Sequence, residues 1–104
     1  MNSSTDVKKL IDYSKGGILS KEIIRKENLD VTLFCMAKGT SISEHTSTKE
    51  GFVYVLEGKG VFRLEGKDII MKEGVLINLE KNAKHSLKAE NDTSFILSLW
   101  KNKE

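Results

Sequence analysis

The side chains of this protein that titrate nearest neutrality are its two histidines, His45 and His85. Each lies in a stretch framed by glycine. Residues Gly39–Gly58 read GTSISEHTSTKEGFVYVLEG, and residues Gly74–Ala89 read GVLINLEKNAKHSLKA. Two imidazoles brought together can ligate a divalent metal, exchange a proton with a bound molecule, or hydrogen-bond it. Metal binding needs more than a pair. Catalytic zinc usually takes three protein ligands, and non-haem iron takes two histidines and a carboxylate. Near His45 the candidates for a third donor are weak. Ser47 is a poor ligand for a divalent ion, and Glu44 has the wrong strand parity. Glu50 is one residue off register and needs a bulge to re-aim it. Proton transfer lacks a third group beside either histidine to orient it, so the residues favour binding over catalysis. Cys35, between Phe34 and Met36 in an apolar run, reads as core rather than as a nucleophile.

The elements that must position these residues are short strands. Apolar or alternating runs at Ile18–Arg25, Leu29–Lys38, Phe52–Glu57, Val61–Glu65, Ile69–Met71, Val75–Leu79, Lys84–Glu90 and Thr93–Trp100 are separated by glycine, asparagine and aspartate turns. The chain has no proline, so these residues carry all of the turn chemistry. Short strands at this spacing predict an all-β sandwich or barrel. No long helical periodicity interrupts them, which argues against a βαβ architecture. Before Gly17, the spacing of Val7, Leu10 and Ile11 suits either a short helix or an irregular edge strand. The β character of the chain beyond Gly17 favours the strand. The organisation expected is one domain over 1–104, with an N-terminal segment at 1–16 and the barrel at 17–101.

Composition narrows the partners. Basic residues outnumber acidic ones by 17 to 15 and are interleaved with them, and only Arg25 and Arg63 are arginine. A one-sided basic stripe is missing, so neither nucleic acid nor an anionic membrane surface is an expected partner. No apolar run approaches the roughly 20 residues that span a bilayer, and the start MNSSTDVKKL lacks the apolar segment of a secretory signal. With Cys35 as the one cysteine, an intrachain disulfide is impossible, which points to a reducing compartment and to the cytoplasm.

The two glycine-framed stretches resemble the paired motifs of the cupin superfamily. The first motif there runs Gly, five residues, His-x-His, three or four residues, Glu, six residues, Gly. In this chain Gly39, His45 and Gly58 fall in place, Ser47 stands at the second histidine and Gly51 at the glutamate. The second motif runs Gly, five residues, Pro-x-Gly, two residues, His, three residues, Asn. Here Gly74 and His85 fall in place, while Glu80, Asn82 and Ala89 replace Pro, Gly and Asn. Short bacterial single-domain members read His-Thr-Ser-Pro in the first motif, and this chain has His45-Thr46-Ser47-Thr48. The resemblance is to small RmlC-like barrels of the cupin 2 conserved-barrel kind, with degenerate metal motifs.

That resemblance implies an all-β double-stranded β-helix, or jelly-roll barrel, with both histidines inside. Strand alternation sends Ser43, His45 and Ser47 to one face, Gly51, Val53 and Val55 to one face, and His85, Leu87 and Ala89 to another. The pocket expected is His45, Ser47, Gly51, Val53, His85 and Leu87. Its expected occupant is a small polar or anionic molecule. The alternative is a metal-dependent enzyme of oxygenase or isomerase type. In it His45 and His85 hold Mn, Fe, Ni, Cu or Zn, and Glu50, water or substrate completes the shell. Phe52, Tyr54 and Leu56 face the other way, to be covered by the N-terminal segment or by a second chain. The resemblance also implies a homodimer.

Overall fold

Turn geometry sets where the strands begin and end. The computed structural model describes residues 3–101. Nine strands run in order: β1 (Ile18–Lys26), β2 (Leu29–Met36), β3 (Ser41–His45), β4 (Glu50–Glu57), β5 (Lys59–Leu64), β6 (Lys67–Lys72), β7 (Leu76–Leu79), β8 (His85–Ala89) and β9 (Thr93–Trp100). Between β5 and β6, Glu65 and Gly66 both adopt positive φ, 48° and 79°. That is the two-residue turn whose twist matches a right-handed hairpin. Gly58 ends β4 at φ +109°, and a Cβ there would lie 2.4 Å from the Asp92 carbonyl oxygen. Only glycine meets both demands.

The strands form two antiparallel sheets. One has the order β1-β2-β9-β4-β7 and the other β3-β8-β5-β6. Chain neighbours β3 and β4 lie in different sheets, as do β6 and β7, and β7 and β8. The chain therefore crosses repeatedly between layers, which makes a jelly roll. The core lies between the layers and takes one face of each strand. Val53 and Val55 of β4 face Met36 of β2, Phe62 of β5, Leu87 of β8 and Phe95 of β9, all buried. Register explains this choice of face: Val53 sits opposite Leu97 and Val55 opposite Phe95, while Phe34 sits opposite Phe95 on the other side of β9.

Cys35 and Leu33 take the opposite face of β2 and are buried there, at 1% and 0% exposure. The segment before β1 contributes to that burial. It is not the edge strand favoured by the sequence. Val7–Leu10 forms a 3₁₀ turn, closed by Lys9 N–H to Asp6 O at 3.1 Å and Ile11 N–H to Lys8 O at 3.4 Å. The Val7, Leu10, Ile11 spacing belongs to this turn, and β1 itself occupies the sheet edge. Tyr13 then fastens the segment. Its hydroxyl donates to Glu57 Oε2 at 2.8 Å and pairs with Ser94 Oγ. Ser94 lies directly across from Cys35 in the β2–β9 ladder. No helix among the described residues is long and apolar enough to cross a membrane.

Candidate functional site

His45 and His85 are direct cross-strand partners on β3 and β8. Their ring centroids are 4.1 Å apart and their planes meet at 63°. A break in alternation brings them together. Ile42 pairs with Leu87 and His45 with His85, so three steps on β3 oppose two on β8. This bulge turns Ile42 and His45 to the same side. Ser43, expected beside His45, is exposed and leaves the inner face to Ile42.

Each imidazole is oriented by a backbone carbonyl two residues earlier. His45 Nδ1 lies 2.9 Å from Ser43 O, and His85 Nδ1 lies 3.0 Å from Ala83 O. A carbonyl oxygen only accepts, so each Nδ1 carries the proton and donates it. In the neutral ring this leaves Nε2 with a free lone pair. Phe62 stacks on His85 at 5.7 Å with a 6° interplanar angle and holds its ring in place. His85 is buried, whereas His45 is exposed and marks the mouth of the site. Burial lowers the His85 pKa from its ordinary value; the Ala83 carbonyl opposes that shift, and the neighbouring His45 adds to it.

Below the pair lies a cavity of about 140 Å³. Its other lining residues are Phe34, Ile42, Val53, Phe62, Leu79, Leu87, Phe95 and Leu97, all apolar. Of the residues expected in the pocket, the fold brings together His45, Val53, His85 and Leu87. It does not bring in Ser47 or Gly51. Ser47 follows the end of β3, and its hydroxyl accepts from Lys49 N–H at 3.1 Å. Its carbonyl accepts from Asn82 N–H at 2.8 Å, tying the two motif loops together. Gly51 lies flat against β9, where a Cβ would sit 1.8 Å from Ser98 O. The position matching the family glutamate is thus filled by a neighbouring strand.

Glu50 follows its parity and turns to the outer face. Its carboxylate accepts from the Trp100 indole N–H at 3.0 Å. Among the described residues, no group of three or more His, Cys, Asp or Glu side chains comes together. The donor set for a divalent metal therefore stops at two imidazoles, one short of a usual protein-held centre. The residues present do not fit a metal centre of the kind the motifs imply. Apart from Val53 and Leu87, the aromatic and aliphatic lining was not singled out from the sequence. Its signal lay in the strand register, since placing Val53 inside obliges Leu97, opposite it, to face inside as well.

Comparison with known proteins agrees with this architecture. The family described as the cupin domain matches residues 32–100. A cupin 2 conserved barrel domain protein from Leptotrichia buccalis is 32% identical, with a TM-score of 0.86 over 93% of this chain and 47% of that one. The chain thus spans about half the length of that relative. A conserved protein of unknown function from Streptococcus pyogenes superimposes with a TM-score of 0.88 at 21% identity, over 100% of this chain and 91% of that one. A cupin superfamily protein from Desulfitobacterium hafniense gives 0.88 at 16% identity, over 98% and 94% of the two chains. These last two likenesses show a shared fold. No curated protein matches in sequence.

Proposed function

The chain belongs to the cupin family, and from that premise we propose that it is a small-molecule-binding barrel. Its ligand sits in the inter-sheet cavity with a polar end against the His45–His85 pair. The observation that carries this reading is the division of the cavity wall. Among the described residues, eight apolar side chains line it, and the two imidazoles are the only polar ones. An apolar cleft with a few convergent polar groups is the common form of a small-ligand site. The sequence suggested a polar or anionic occupant, whereas this lining favours a mostly apolar molecule with one polar head. Binding is also favoured over catalysis. Neither imidazole has a carboxylate to orient a proton transfer, since both Nδ1 atoms rest on backbone carbonyls. A homodimer through the outer face of the larger sheet is part of the proposal, because Tyr54 and Leu76 stand exposed side by side there.

Methyl NMR tests the site directly. Adding a compact apolar probe such as toluene is expected to shift the methyl signals of Val53, Leu79, Leu87 and Leu97 as one saturable set. Shifts scattered over the surface, or no shift at saturating toluene, would refute a binding cavity between the sheets.

A further inference from the structure

We propose that the ligand of this cavity is a compact neutral molecule carrying a hydroxyl on an apolar body, of the size and shape of a monocyclic phenol, whose hydroxyl donates to an Nε2 atom of the histidine pair. The inference rests on the reading of the cavity as a ligand site and adds the polarity of the ligand's head.

Hydrogen-bond bookkeeping carries it. Both Nδ1 protons are already committed to the carbonyls of Ser43 and Ala83. The neutral pair therefore offers two acceptors and no donor. The remaining lining side chains are apolar and offer neither. A head that only accepts, such as a carboxylate, would set its lone pairs against the Nε2 lone pairs. It could be held only by protonating a ring. At His85 burial works against that, and so does the neighbouring His45 ring, 4.1 Å away between centroids. A hydroxyl donates instead. Its own lone pairs face the mouth, where exposed His45 leaves room for water.

Size and lining choose the body. A cavity of about 140 Å³ is close to the roughly 150 Å³ apolar cavity that accepts benzene in an engineered protein. Phe34, Phe62 and Phe95 contribute ring surface to the wall, and aromatic walls suit a flat aromatic guest. Two fused rings would not fit without movement.

Titration calorimetry on the full chain at mildly alkaline pH, with phenol, toluene and benzoate as probes, tests the proposal. Phenol is expected to bind about three- to tenfold more tightly than toluene, the worth of one net hydrogen bond, and benzoate more weakly than either. His45→Leu and His85→Phe should each reduce phenol's advantage over toluene while toluene still binds. His45 is exposed, so its variant tests the head even if the buried replacement perturbs folding. Equal affinity for phenol and toluene, or benzoate as the tightest ligand, would overturn the donor-head inference and leave the cavity a ligand site. If none of the three binds, both readings fall.

Discussion

His85 is held as a neutral ring by the same burial that builds the cavity, and this has a consequence for stability. Its folded pKa lies below the ordinary 6.5. Above that value neither folded nor unfolded chain protonates the ring, and its contribution is constant. As pH falls below it, the unfolded chain takes up the proton first, so stability drops until the folded pKa is reached. Urea unfolding at a series of pH values should show this loss below about pH 6.5, and His85→Phe should flatten that part of the curve. Equal slopes in the two proteins would count against the buried neutral ring. Gly51 teaches a different lesson. From the sequence it looks like a ligand removed from an otherwise intact motif. In the fold there is no space left for that ligand, because Ser98 O occupies it. Restoring the family residue with Gly51→Glu should therefore create no metal site and should cost about 3 kcal/mol of stability, as severe overpacking does. Metal analysis and thermal melting of the variant would check both expectations. Asn82 reverses the case. It replaces a motif glycine, yet it adopts φ 64°, a left-handed conformation that asparagine tolerates better than most residues. The sequence showed a lost glycine, and the backbone kept its turn.

Single elements were legible where alternation held and were misread where it broke. β4 and β8 present Val53, Val55, His85 and Leu87 inward, as their period of two requires. β3 does not keep that period. Its bulge between Ile42 and His45 exchanges Ser43 for Ile42 on the inner face, and nothing in SISEH marks a bulge. The bulge removes the Ser43 hydroxyl from the inner face, Ser47 lies beyond the end of β3 with its hydroxyl bonded to Lys49 N–H, and the wall is left apolar. The segment before β1 was ambiguous for a similar reason. Four residues of 3₁₀ turn are too short to show a period, and what holds them in place is distant in sequence. Tyr13 reaches Glu57 and Ser94, and Lys21 Nζ donates to Leu10 O at 2.9 Å. Burial and the Glu57 carboxylate together push the Tyr13 phenol well above its ordinary pKa, so it stays a donor throughout the physiological range. Tyr13→Phe should cost about 1 kcal/mol, speed amide exchange in residues 7–13, and leave toluene binding unchanged. Unaltered exchange in that segment would show that the tyrosine does not fasten it.

For the molecule as a whole, turn spacing and two spaced motifs were enough to reach a jelly roll, because nine short antiparallel strands have few other ways to cover one core. The ligand was not reachable in that way. It depends on which of two strand faces turns inward on β2, β3 and β9, and register decides that only after folding. The outer surface carries one further expectation. Tyr54 is 41% and Leu76 63% exposed, on paired residues at the edge of the larger sheet, and Phe52, two residues before Tyr54 on the same strand, packs its ring 6.0 Å from that of Trp100. Light scattering should give the mass of a dimer, and Tyr54→Lys should shift it toward the monomer; a monomeric mass for the unaltered protein would remove the homodimer. The central claim is that two neutral imidazoles present bare Nε2 atoms to a small apolar cavity. With only two histidines in the chain, nitrogen-15 NMR of the imidazoles measures this most directly, each ring being assigned by mutating the other. At mildly alkaline pH both rings should appear as neutral tautomers protonated at Nδ1, and phenol should move both Nε2 resonances while the Nδ1 resonances stay in place. Rings protonated at Nε2, or Nε2 signals indifferent to phenol, would contradict the account.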